Sequence, residues 1–232
     1  MTDIIAEIHK KLTTGEDQLT GNFFGSLRYL PFDLGIKPIL RESAFPTNLF
    51  SCLDGISLKD WDDKILFWEE CRSDGTEPDV VVEFGDVVIL IEVKLNSGEG
   101  KDQLKREAEL LLNKYRHCSK KILLLLAPES YAKKIYDNNE EMVDKKGVSF
   151  GYTTWQKVLT ALNGIDNTAD PFQKTIINDL IRLLTRKGFD SFKCFDSCMP
   201  GVTADGYWKF NFPAFYFENH EKVTRCLYYE FK

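Results

Sequence analysis

Residues 77–98 read "EPDVVVEFGDVVILIEVKLNSG", two apolar segments that carry Asp79, Glu92 and Lys94. These three residue types can do a specific kind of chemistry. Carboxylates hold a hard divalent cation through oxygen, and an ammonium positions a water or neutralises charge on a phosphate. Gly85-Asp86 suits a two-residue type II′ turn, which sets Phe84 against Val87. Continued along the ladder, that register sets Asp79 against Glu92 and Glu77 against Lys94. Strand alternation then puts Val88, Leu90, Glu92 and Lys94 on one face. Facing carboxylates about 5 Å apart repel by roughly 3 kcal/mol at an effective dielectric near 20. A shared proton or a bound cation removes that repulsion. The competing reading is a solvated strand end with Glu92 paired to Lys94.

A third acid stands upstream. In "GEDQLTGNFFGSLRYL", Glu16, Leu19, Phe23, Leu27 and Leu30 follow helical spacing, so Glu16 lies on the apolar stripe and Asp17 points elsewhere. A carboxylate in line with a core stripe needs a partner or a cation. A simpler role is a first-turn acid complementing the helix dipole.

Residues 101–121 hold Lys101, Lys105, Arg106, Lys114, Arg116, Lys120 and Lys121 against Asp102, Glu107 and Glu109. This stretch is net positive in a chain of formal charge −6. Lys101, Lys105 and Arg106 lie near a helix start, where phosphates are favoured. An ordinary solvated helix face is the alternative. Cys194 and Cys198 form a loose CxxxC, followed by His220 and Cys226, and read as thiols more readily than as a zinc site. No P-loop, dinucleotide turn or G-x-S-x-G is present.

The frame that must carry these residues is 232 residues long, with 43% hydrophobic and 28% charged side chains. That composition fits a globular chain with a full core. Neither the start, "MTDIIAEIHKKL", nor the longest apolar runs, "VVILI" and "ILLLLA", suit a secretion signal or a membrane span. A cytoplasmic location without membrane partners is the expectation, with six cysteines kept reduced.

Helical spacing predicts helices over 2–13 and from 15 to about 30, ended by Pro31. Residues 32–64, with Pro38 and Pro46, read mostly as loop. Strands are expected at about 65–72, 78–84 and 87–95, then a helix over 102–116 and a strand buried on both faces in "KKILLLLAP". A short helix at about 129–138 precedes "GVSFGYTTWQKVLTAL", a strand passing into a helix with Thr153 and Gln156 as a capping box. A helix over 171–187 ends at Gly188. The expected fold class is α/β, with a mixed sheet flanked by helices over 1–188 and an aromatic hairpin or small appendage over 189–232. In that tail, Trp208, Phe210 and Phe212 alternate onto one strand face. Such aromatics pack a small sheet or interface, or stack unpaired bases.

Pro78-Asp79, Glu92 and Lys94 match the P-D…(D/E)-x-K signature, in the order helix, antiparallel meander, helix, strand. Over about 15–160 the chain resembles the PD-(D/E)XK nuclease superfamily, the restriction-endonuclease-like fold. The resemblance implies a Mg²⁺-dependent phosphodiesterase, with Mn²⁺ able to substitute. Asp79 and Glu92 would be ligands, joined by the Val93 carbonyl and by Glu16 directly or through water. Lys94 would position or activate the attacking water, and Gln103 matches a glutamine that opens the following helix in relatives. Glu107 departs from the aromatic or basic residue found four positions later in many of them. Family frequency favours DNA over RNA and an endonuclease of restriction, repair or defence. Cutting two strands would suit a homodimer. The alternative is a catalytically inactive nuclease-fold module that binds nucleic acid or braces an assembly.

Overall fold

The structure, a computed structural model, describes residues 15–57, 61–68, 75–95, 102–144, 146–165 and 170–190. The expected helix over 2–13, the aromatic tail and the cysteine pair Cys194 and Cys198 lie outside these residues. All described residues belong to one compact unit, Met1–Ser191.

Two helices come first, α1 (Gly15–Leu27) and α2 (Ile36–Ser43). The second lies where loop was expected. Pro38 is its third residue, in the first turn, where a backbone N–H has no intrahelical acceptor to lose. Ile36, Ile39, Leu40 and Ser43 make its buried stripe. A 3₁₀ turn, Ser51–Leu53, follows.

The sheet begins with β1 (Ile65–Phe67), β2 (Val80–Phe84) and β3 (Val87–Val93), an antiparallel meander. The hairpin register is the expected one: Phe84 faces Val87 and Val80 faces Ile91. Gly85 takes φ 58°, the region a Gly-first tight turn demands. Then α3 (Gln103–Lys114) leads to β4 (Lys120–Ala127), and α4 (Glu129–Asp144) leads to β5 (Ser149–Thr154). Both later strands join in parallel, giving a five-stranded mixed sheet in the order β1-β2-β3-β4-β5. The chain continues into α5 (Trp155–Gly164) and α6 (Pro171–Arg186).

Each face of the sheet carries its own core, so β3 is buried along its whole length, as a strand covered on both sides must be. One core joins Val80, Ile89, Ile91, Val93 and Leu124 to Leu19 and Phe23 of α1 and to Trp155 and Leu184. The other joins Val81, Val88, Leu90 and Leu123 to Leu104, Ala108 and Leu111 of α3 and to Ile135 of α4.

Two local expectations shift. The cap of α5 is Thr154, whose hydroxyl accepts from Lys157 N, not Thr153. Thr153 instead donates to Ser43, and the Gln156 side-chain Oε1 accepts from Glu129 N. The fourth helix extends well past residue 138, because its polar outer face still leaves Ala132, Ile135, Tyr136 and Val143 on a buried stripe. The last helix ends as read, with Gly188 following at φ 81°, and the structure adds a capping box between Asp170 and Gln173 at its start. No helix among the described residues is long and apolar enough to cross a membrane.

Candidate active site at the carboxyl end of the central strand

Asp79 stands one residue before β2, and Glu92 and Lys94 lie at the end of β3. The Val93 amide donates to Asp79 Oδ2 at 2.8 Å, which docks the aspartate where the hairpin ladder runs out. Glu92 and Lys94 are 1% and 5% exposed, and Lys94 Nζ donates to Glu92 Oε1 at 2.5 Å. Gln103 Nε2, from the first residue of α3, donates to the same oxygen at 2.5 Å. From the first turn of α1, Glu16 Oε1 lies 3.8 Å from Lys94 Nζ, and Glu16 Oε2 accepts from Leu95 N at 2.7 Å. The structure therefore gathers Glu16, Asp79, Glu92, Lys94 and Gln103 into one cluster.

The backbone beneath the cluster is held from several sides. Lys94 N donates to Leu126 O at 2.8 Å, continuing the parallel pairing with β4. Trp155 Nε1 donates to Lys94 O at 3.1 Å, and the Tyr131 hydroxyl donates to Leu95 O at 2.8 Å. Every one of these partners comes from a different element, and with Glu16 on Leu95 N the starts of three helices and the end of β4 converge on residues 94 and 95. Such support keeps charged side chains in one geometry.

A fourth acid enters that sequence reasoning missed. Glu107 is 1% exposed on α3, four residues after Gln103 and so on the same helix face. That spacing was the available signal. Glu107 lies close enough to Glu92 for the two carboxyls to influence each other's charge, and neither Glu107 oxygen nor Glu92 Oε2 has a hydrogen-bond partner.

The electrostatics follow from burial. Desolvation, reinforced by the charge of Glu92, holds the Asp79 carboxyl well above the usual carboxylate range. Desolvation and then Glu107 do the same to Glu92. Burial also pushes Glu107 up to about 7. Burial opposes the charge of Lys94, but Glu92, Glu16 and Asp79 more than reverse this and hold the ammonium above its ordinary value. Among the described residues Lys94 is the buried cation of this cluster, in contact with Glu92 and near Glu16.

Hard oxygen donors, in excess over positive charge and with buried unpartnered oxygens, are what a divalent cation such as Mg²⁺ requires. The residues present fit such an ion. Of the side chains expected to meet phosphate, Lys105 and Arg106 are exposed near the start of α3, and Lys101 lies outside the described residues. The sequence matches no protein-family model, and no curated protein matches it either.

Proposed function

We propose that the chain is a metal-dependent nuclease of the PD-(D/E)XK type, built on a restriction-endonuclease-like core and hydrolysing phosphodiester bonds in nucleic acid. One observation carries this reading: Asp79, Glu92 and Lys94, chosen by spacing, meet Glu16 and Gln103 in one cluster in which Glu92 Oε2 and both oxygens of Glu107 are buried without a hydrogen-bond partner. A salt bridge alone needs no such unpartnered oxygens.

Asp79 and Glu92 would hold Mg²⁺ or Mn²⁺, with the Val93 carbonyl and with Glu16 directly or through water. When bound, the ion supplies Lewis-acid charge to the phosphodiester and a more acidic water. Lys94, kept protonated by its carboxylates, suits donating to the attacking water and neutralising the pentacovalent phosphate. Its raised proton affinity argues against a role as general base. Gln103 orients Glu92 through its amide hydrogen bond. Exposed Lys105 and Arg106 offer positive charge to the phosphate backbone. DNA is the preferred substrate and endonucleolytic action the preferred mode, both by analogy with the resembled superfamily.

Incubation of the full chain with labelled duplex and single-stranded DNA, with and without Mg²⁺ or Mn²⁺, tests the reading. Cleavage should require the cation and vanish in Asp79→Ala and Lys94→Ala. Equal cleavage by those variants would sink it. The Lys94 contacts to both Glu92 and Glu16 favour a second reading, a bracing module whose charges are internally neutralised. Such a module would show no Mg²⁺-dependent thermal stabilisation, whereas the nuclease would show one that Asp79→Asn abolishes.

A further inference from the structure

A second group of ligand-type side chains lies at the opposite end of the hairpin. Glu83 faces Val88 in the β2–β3 ladder, four strand residues and about 13 Å from Glu92. Across from Glu83, the loop between α3 and β4 presents His117 and Cys118. One carboxylate oxygen, one ring nitrogen and one sulfur from these residues lie within 4.8 Å of one another.

The three side chains differ in mobility in a useful way. Cys118 is buried and packed with Val81, Leu111 and Tyr115, so its sulfur is a fixed point. Glu83 and His117 are partly open to solvent and can adjust around it. At present His117 Nε2 lies 2.5 Å from Glu83 Oε1, so a hydrogen bond occupies the place a cation would take. Tetrahedral zinc, with bonds of about 2.0–2.3 Å, holds its ligands roughly 3.5 Å apart, which small rotations of Glu83 and His117 achieve.

We propose that Glu83, His117 and Cys118 form a second metal site, selective for a borderline-soft divalent ion such as Zn²⁺ and distinct from the acid cluster at the end of β3. The donor set decides the selectivity. A thiolate and an imidazole favour zinc over Mg²⁺, which takes oxygen. Binding forms metal–sulfur, metal–nitrogen and metal–oxygen bonds, and the Cys118 thiol releases its proton to solvent. Three protein ligands leave the fourth position to water. The neighbouring Asp86 carboxylate already accepts from Ser119 N and from the Ser119 hydroxyl. The site's effect is structural: it ties the hairpin turn to the loop that opens β4.

Cobalt(II) provides the test, because a thiolate ligand gives it a charge-transfer absorption that oxygen ligands do not. The full chain, stripped with chelator and held in excess Mg²⁺ to fill oxygen-only sites, is titrated with Co²⁺. The expected result is one equivalent bound with the thiolate band, displaced by Zn²⁺, lost in Cys118→Ser and at least tenfold weaker in His117→Ala. Should Cys118→Ser fail to fold, exposed His117→Ala still decides the matter. Absence of the band overturns the proposal. So does its persistence in Cys118→Ser, or unchanged affinity in His117→Ala.

Discussion

Glu107 on α3 and Glu92 on β3 face each other in the interior, with three of their four carboxylate oxygens lacking a hydrogen-bond partner. Two acids so placed share a proton or a cation, since both cannot ionise unaided in a low dielectric. Glu107 therefore costs stability once it must ionise. Its folded value lies at about 7, above the unfolded value of 4.5, so between these values the native state binds more protons. Stability without metal must then fall as pH rises through this window. Glu107→Gln should flatten the decline and be more stable than the parent by on the order of 2–3 kcal/mol above pH 8. Urea denaturation in chelator across the window measures this, and an unchanged slope would refute it.

Lys94 is the only ammonium in contact with Glu92 among the described residues, and Glu16 shares it. Lys94→Met leaves buried carboxylates uncompensated and should destabilise the metal-free protein by about 3–5 kcal/mol. Saturating Mg²⁺ should recover much of that loss, because the ion supplies the missing charge. On the proposed nuclease reading, cleavage should not return, since Lys94 would be the donor to the attacking water. Parallel thermal melts and cleavage assays separate the two effects; rescue of both would make Lys94 merely structural.

The parts legible in the sequence share a cause: local chemistry that leaves one outcome. Gly85-Asp86 admits a tight turn, the turn sets the register, and the register brings Asp79 beside the end of β3. Likewise the short, continuous apolar run "ILLLLA" suggests a strand covered on both faces, and the structure has it as part of β4. Glu16 was readable because it interrupts an apolar stripe. Other features depend on context. Pro38 looks like a breaker until its place in the first turn of α2 is known. Glu107 looks like a surface charge until Gln103 is seen to face inward one turn earlier. Thr153 and Thr154 are equivalent caps by composition, and the hydrogen bond of Thr153 to Ser43, 110 residues away, decides between them.

Gly85 offers a test of the hairpin that leaves the acids alone. A Cβ there meets no atom within 4 Å, so substitution probes backbone conformation without a clash. At φ 58°, Gly85→Ala should cost about 1–2 kcal/mol. Because the turn sits at the far end of the hairpin from Glu92, cleavage per folded molecule should stay within twofold of the parent. A change in activity larger than the change in stability would show that the turn tunes the register of Asp79.

If the chain binds nucleic acid as proposed, Lys105 and Arg106 test where it runs. Both are exposed, and they follow Gln103, whose amide touches Glu92, so a phosphate near the cluster lies within their reach. Each contact to duplex DNA releases about 0.9 of a counterion, so two lost contacts flatten the slope of log affinity against log salt by roughly two. The comparison belongs in an Asp79→Asn background, where binding is read without cleavage. Lys105→Ala with Arg106→Ala should weaken binding to all sequences equally, because phosphate contacts carry no base information. A loss confined to one sequence would place these side chains at base edges. An unchanged slope would move the DNA path to another face of the sheet.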